Sequence, residues 1–401
     1  MAQQRYRQLT GHSLPFWMLI VLHVIGVAAG LGAAFYMESN GHFVTGMNNQ
    51  TVWGLPHVFA VFLIVSASGA LNVASVSSVF HRLAYKPFAR LSGVLAIALL
   101  CGGLMVLVLD LGRPERVFVA MTKQNFKSIF AWNIYLYSGF IVLVAFYLMS
   151  MMDRRLAKRP GVNTAFGWSA FLWRLVLTAG TGSIFGFLAA RDAVSGAIMA
   201  PLFIASSLVY GLAFTVLVLT TMSFETTESM CTPDLIAKFR GLLGIFGATT
   251  LFLTLIAHLS KFYATPTHDI ELFLLRDGGA FPVAFWLGQI LLGTLAPLAL
   301  LAIMPNGAAG ISELVGASVL FLIGGLSQMF VIIVGAQAYP LKIFPGYEVS
   351  SSFADGAINA YAPSPPEFLL GLAGISAAML IATLAFRLLP VLPQSSASSG
   401  A

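Results

Sequence analysis

Leu91-Ser92-Gly93-Val94-Leu95-Ala96-Ile97-Ala98-Leu99-Leu100-Cys101-Gly102-Gly103-Leu104-Met105-Val106-Leu107-Val108-Leu109 runs without a charged side chain. An α-helix rises about 1.5 Å per residue, so such a run crosses a hydrocarbon core of about 30 Å. In hydrocarbon the backbone must satisfy its own hydrogen bonds, which leaves helices or a closed barrel. The run is too long for a barrel strand and reads as a membrane-spanning helix. The pattern recurs along the chain at roughly 15–36, 55–80, 88–111, 130–152, 168–190, 198–222, 241–263, 281–304, 311–337 and 366–390. The composition agrees: 58% of the 401 residues are hydrophobic and 9% are charged, where a soluble domain carries roughly 25% charged residues.

These observations predict an all-α integral membrane protein with about ten transmembrane helices. The chain reads as one domain, residues 1–401, surrounded by lipid and without a nucleic-acid partner. The longest connection, from Ala338 to Pro365, is too short for a hidden soluble domain. Residues 391–401 read as a flexible C-terminal tail. The first apolar run is longer than a signal-peptide core and no cleavage site follows it, so it is expected to stay as an anchor.

Charge sets the expected orientation. If the N-terminus and alternate loops share one side, that side gathers most Lys and Arg, with Arg154, Arg155, Lys158 and Arg159 as its clearest cluster. The positive-inside rule then puts both termini in the cytoplasm. One outer loop breaks the trend: residues 112–129 carry Arg113, Arg116, Lys123 and Lys127 against Glu115. Charge alone favours a solvated or lipid-headgroup loop there over a docking patch for an acidic partner.

Ionisable groups at membrane depth are costly and each is a functional candidate. On the expected topology they converge near the outer face: His57 opens span two and Asp110 closes span three. Trp132, Asn133, Tyr135 and Tyr137 open span four, Arg191 and Asp192 leave span five, His258 and Lys261 end span seven, and Glu367 opens span ten. A quinone needs an apolar pocket with a few donors for its carbonyls, and its redox chemistry needs proton exchange, for which a carboxylate–His pair is suited. Each residue also has a plain structural reading. His57 can be interfacial, Asp110 can pair with Arg113, and the tyrosines can form an aromatic belt. Their convergence at one depth favours a site. A sparser inner set, His23, Ser68, Asn72, Ser75 and Arg174, reads first as small-residue helix packing around Gly69, and second as a proton half-channel.

The sequence predicts no metal site. Cys101 and Cys231 are the only cysteines, too few for an iron–sulfur cluster, and no two histidines share a mid-membrane level suited to haem.

Val108-Leu109-Asp110-Leu111-Gly112-Arg113-Pro114, followed by Asn125-Phe126-Lys127-Ser128 and Trp132-Asn133, resembles the NrfD/PsrC family. These are membrane subunits of polysulfide-reductase-type and related iron–sulfur oxidoreductases. Trp53-Gly54-Leu55-Pro56-His57 resembles the family's quinone-site helix entrance. Ala360-Tyr361 through Pro366-Glu367 and Arg387-Leu388-Leu389-Pro390 resemble its longer, ten-helix branch of HybB- and DsrP-like proteins. The resemblance spans essentially the whole chain.

It implies two four-helix bundles with extra terminal helices, in a bacterial cytoplasmic (inner) membrane. It implies a quinone, menaquinone or ubiquinone, near the outer face, with no haem or cluster in this chain. It also implies a ferredoxin-like four-cluster iron–sulfur subunit docked on the 112–129 loop, and a catalytic subunit of the molybdopterin type or another. Carried over by position, His57 and Asp110 match the catalytic quinone residues, and Arg191 resembles the arginine leaving span five. Asn133, Tyr135 and Thr181 complete the expected cofactor-binding set. Relatives often place Tyr or His where this chain has Ala179-Gly180-Thr181-Gly182-Ser183, so Thr181 or Ser183 takes that part. An Asn beside the histidine, seen in some relatives, is not evident.

The implied function is a quinone-interacting membrane anchor of a multi-subunit oxidoreductase, in respiratory sulfur or related metabolism, with proton coupling as an option. The rival reading is a proton-coupled secondary transporter, and a third is an anchor that has lost its quinone. Transporters often carry paired broken helices near mid-bilayer, and no matched pair stands out here.

Overall fold

Ten long helices follow one another among the residues that the computed structural model describes, 5–153, 155–156, 159–188, 191–226, 230–340 and 357–394. They are α1 Leu14–Asn40, α2 Leu55–Ser78, α3 Leu83–Leu109, α4 Ile129–Met152, α5 Pro160–Gly186, α6 Met199–Phe224, α7 Pro233–Tyr263, α8 Ala280–Ile303, α9 Gly307–Ala338 and α10 Pro365–Leu388. Nine of them are long and apolar enough to cross a membrane among the described residues. The exception is α5, as long as α1 but interrupted by Arg174 and by the run Thr178 to Ser183. Arg154 and Lys158 of the charge analysis lie outside the described residues, as do most of the 338–365 connection and residues 395–401.

Helix starts are set by proline and local caps. Thr232 accepts a hydrogen bond from the Leu235 amide and Pro233 follows it, which starts α7 well before the apolar run at 241. Pro160 likewise starts α5 ahead of the expected 168. Proline fits a first turn because its missing N–H has no helical partner there.

Helices α2 to α5 form one bundle and α6 to α9 a second, while α1 packs on α10, which lies against α3 and α2. The bundles join where α2 crosses α6. Gly69 and Gly211 make the crossing possible: a Cβ on Gly69 would fall 1.6 Å from the Ser207 carbonyl oxygen. Accordingly α2 and α6 are the most enclosed helices, 94% and 83% buried along their apolar windows. The outer helices instead expose Phe35, Leu172, Phe252 and Trp286 as an apolar surface suited to lipid chains.

The loops sort cleanly to two ends. At one end Arg90 donates to the Met151 and Pro390 carbonyls, Arg240 caps the 302–306 turn, and Tyr6–Arg7 (β1) pairs antiparallel with Leu392–Pro393 (β2). That pairing occupies the start of the stretch read as a C-terminal tail, with Val391 and Leu392 buried. At the other end Gln50 donates to the Gln337 and Ala338 carbonyls, and Arg191 reaches the carbonyls of Gln50, Gln337 and Tyr339. Lys261 holds the Asp192 and Ser195 carbonyls there. His57 and Asp110 lie at this second end.

Candidate functional site

Gly54 and Pro56 start α2 so that His57 occupies its first turn. Asp110 caps the C-terminus of α3. Two residues on, Gly112 has φ of 64°, a left-handed conformation that glycine takes without steric cost, and the chain turns away there. The Asp-x-Gly-Arg motif is therefore a helix stop that leaves Asp110 facing the neighbouring helix and Arg113 exposed. His57 Nδ1 and Asp110 Oδ2 lie 2.7 Å apart, with the Asp110 side chain 1% exposed and that of His57 16%. Asp110 Oδ1 has no partner among the described residues. Asp110 thus pairs with His57 and not with Arg113 or Arg191.

His57 opens onto a cavity of about 570 Å³ inside the first bundle, within the roughly 300–1,000 Å³ typical of small-molecule sites. Trp53 stacks on the His57 ring at 6.0 Å and 22°, and itself meets Phe130 and Phe185. Asn133 and Tyr137 line the cavity from α4. The Asn133 amide donates to the Ile129 carbonyl at 2.9 Å and the Gly180 carbonyl at 3.3 Å, while its oxygen faces the Thr181 hydroxyl at 3.4 Å. Deeper walls are aliphatic, with Val61, Ile64, Leu107 and Ile184. Arg113, Arg116, Val117 and Ala120 form the roof, so the basic loop and its short helix Val117–Thr122 border the cavity directly.

The structure brings His57, Asp110 and Asn133 together, with Thr181 in the layer behind Asn133. Asn133 thus lines the same cavity as the histidine, supplied by α4. It does not bring in Tyr135, which is 46% exposed and off the cavity wall. Tyr137 lies there instead, because residues four apart share a helix face and residues two apart do not. That spacing from Asn133 was the available signal. Arg191 is also elsewhere: its guanidinium ties together the carbonyls of Gln50, Gln337 and Tyr339, and burial pulls its pKa below the usual arginine value. Glu367 is fully buried and accepts from the Tyr361 hydroxyl at 2.6 Å and the Gly46 and Ser364 amides at 2.8 and 2.7 Å. Tyr361 in turn accepts from the Leu55 amide at 2.7 Å, bracing the turn that presents His57.

The inner polar set divides. Arg174 donates to Asn72 Oδ1 at 3.0 Å, and Thr178 bonds Ser68. His23 stands apart, on a cavity of about 350 Å³ lined by aliphatic and aromatic groups from α1, α2, α6, α9 and α10.

Across 97% of both sequences, this protein is 26% identical to the Hdr-like menaquinol oxidoreductase integral membrane subunit of Archaeoglobus fulgidus. It is 24% identical to the menaquinone reductase integral membrane subunit of Nitratidesulfovibrio vulgaris, covering 94% of its own length and 92% of the relative's. The C subunit of the Wolinella succinogenes polysulfide reductase is 23% identical, over 73% of this protein and 96% of that subunit. Residues 43–340 match the polysulphide reductase NrfD family, which takes in both bundles and the His57–Asp110 cavity, and the protein is a member of that family.

Proposed function

We propose that this protein is the quinone-reactive membrane subunit of a multi-subunit oxidoreductase. It exchanges electrons between the quinone pool and an iron–sulfur subunit docked on the 112–129 loop. The observation that carries this reading is the buried His57–Asp110 pair on the wall of an apolar cavity of about 570 Å³. Two relatives are named for menaquinol or menaquinone, which favours that quinone class.

A bound quinone supplies two-electron, two-proton chemistry, and the protein supplies the proton handling. With Asp110 ionised, Nδ1–H of His57 donates to Oδ2. A neutral His57 then presents the bare Nε2 as an acceptor for a hydroxyl proton, and a protonated His57 presents Nε2–H as a donor to a carbonyl. Asp110 thereby fixes the ring orientation and tautomer of His57. Trp53, Phe130 and Phe185 hold an aromatic ring, and the aliphatic depth suits an isoprenoid tail. Arg113 and Arg116 are exposed above the cavity, where they favour an acidic partner surface.

The partner is proposed to be a ferredoxin-like four-cluster subunit, itself joined to a catalytic subunit in sulfur or related respiration. The relative named for polysulfide reductase is consistent with such partners. The proposed location is a bacterial inner membrane with both termini cytoplasmic, which puts the cavity end outside. The test is quinone-dependent turnover of the purified complex with His57→Leu. Loss of quinone activity with retained dye-linked activity is expected. Unchanged quinone kinetics would place the site elsewhere.

A further inference from the structure

The second bundle holds a polar cluster that quinone chemistry leaves unused. Glu271 sits on the short helix His268–Leu272 between α7 and α8, fully buried. Its Oε2 lies 2.9 Å from His258 Nδ1, and its Oε1 has no partner among the described residues. Lys261, one turn further along α7, sends its Nζ to the Asp192 and Ser195 carbonyls at 2.5 and 2.8 Å.

The pair opens onto a cavity of about 20 Å³ walled in part by Thr254, Gln289 and Gln328. A second cavity of about 10 Å³ shares those three residues and adds Tyr210, Thr250 and Thr294. Gln328 Oε1 accepts from Ser206 at 3.2 Å and from Tyr210, while Gln328 Nε2 and Thr250 Oγ1 have no partner among the described residues. Thr250, Thr254, His258 and Lys261 follow one another at four, four and three residues, hence on one face of α7. From Lys261 to Thr250 that face descends about 16 Å, roughly half the hydrocarbon core.

Irregular winding marks the same place three times. A π-helical turn at Phe273–Asp277 follows Glu271, another at Ala284–Leu295 contains Gln289, and a third at Val331–Gly335 begins just after Gln328. Such winding is rare and frequently occurs at functional sites.

Volume decides what the cluster can take. One water needs about 10–15 Å³ measured this way, so the cavity beside Glu271 admits a single water and excludes a quinone ring. Lys261 on its wall opposes a metal cation. We propose that His258 and Glu271 form a second ligand site, for a proton, in contact with a water held between the pair and Gln289, Gln328 and Thr254. The proton is shared between Nδ1 and Oε2. Its release leaves a neutral imidazole beside a carboxylate, with Lys261 and the Gln328 amide facing the negative charge and the Asp192 and Tyr210 side chains nearby.

Infrared difference spectra of the purified full-length protein, between acidic and alkaline buffer, test this without quinone or turnover. The result is therefore independent of the proposed function. The wild type is expected to show linked carboxyl and imidazole signals that Glu271→Gln removes together, while His57→Leu leaves them in place. His258→Gln should move the carboxyl midpoint by about one pH unit, a tenfold change in proton affinity. Identical spectra for wild type and Glu271→Gln overturn the proposal, as does a midpoint that follows sodium concentration. Should Glu271→Gln fail to accumulate, His258→Gln decides, and an unmoved carboxyl midpoint overturns it.

Discussion

Asp110→Asn isolates the charge behind the His57 imidazole from the shape of the site. Asparagine keeps the size of the side chain and an oxygen able to accept from Nδ1 at the observed 2.7 Å. Exchanging a charge-assisted hydrogen bond for a neutral one costs about 1 kcal/mol, and an amide NH₂ left unpaired where Oδ1 now sits costs about 1–3 kcal/mol more. Both helices are anchored over long buried faces, so the complex is expected to assemble. The chemical consequence is larger. A positioned acid–base group contributes about 10²–10⁴ in rate, or about 3–5 kcal/mol of barrier. Without the carboxylate His57 can still touch its ligand, but the charge that holds its tautomer and faces the transferred proton is gone. Quinone-dependent kcat should therefore fall by about two to four orders of magnitude. KM should change much less, because the Trp53, Phe130 and Phe185 wall is intact. The assay is steady-state turnover with a soluble quinone analogue, alongside dye-linked activity of the soluble subunits as the control for assembly. His57→Leu with Asp110→Asn should be no worse than the more damaging single change, since groups acting as one unit are not additive. Turnover of Asp110→Asn within about threefold of wild type would refute the reasoning, because no barrier of this size would then depend on the charge.

Arg116, Lys123 and Lys127 are exposed on the roof loop; reversing all three to Glu should release the soluble partner at physiological salt, and unchanged co-purification would show that the loop is not the dock. Trp53→Ala removes the ring stacked 6.0 Å from His57, and aromatic pairs of about 0.5–1.5 kcal/mol each predict a roughly tenfold higher KM with kcat less affected, read from the same kinetics. Gly69→Leu should abolish accumulation of the folded protein, because a Cβ alone meets Ser207 at 1.6 Å; Gly32→Ala, with nothing within 4 Å, is the control, both read by yield in membranes. Burial and the Glu367 carboxylate push the Tyr361 phenol well above its ordinary value of 10.0. A raised folded-state pKa stabilises fully below the unfolded value and is lost as pH climbs above it, so alkaline unfolding should begin above about pH 10 and Tyr361→Phe should flatten that arm.

Much of this fold was legible because hydrocarbon imposes a coarse rule. A helix with no water to bond must be long and apolar, and α3 shows this in sequence without ambiguity. The N-terminal ends of α5 and α7 were less legible for the same reason. Their first turns run beyond the apolar stretch, where proline and a threonine cap fix the start and hydropathy says nothing. His57 and Asp110 could be paired in advance because each ends a span at the same level. Tyr135 was drawn in by depth, and Arg191 by depth and by its likeness to the family's arginine leaving span five. Depth does not distinguish helix faces, and Arg191 turns to backbone carbonyls of loops far away in sequence. Glu271 had no such signal. It lies in a short connection that looks solvated, and only the packing of the small helix His268–Leu272 against α7 buries it.

Each bundle thus holds a histidine whose Nδ1 meets a buried carboxylate, at 2.7 Å in the first and 2.9 Å in the second. In each pair the second carboxylate oxygen is unpartnered among the described residues. Local chemistry alone would give the two pairs the same task. The surrounding packing separates them. Around His57 the α2–α5 bundle leaves about 570 Å³ with Trp53, Phe130, Tyr137 and Phe185 on its wall, while around His258 the packing closes to about 20 Å³, mostly aliphatic but with Thr254, Gln289 and Gln328 on its wall. A ring can reach the first and a water the second. Under the two proposals the same histidine–carboxylate pair therefore serves a redox ligand in one bundle and a proton beside a single water in the other.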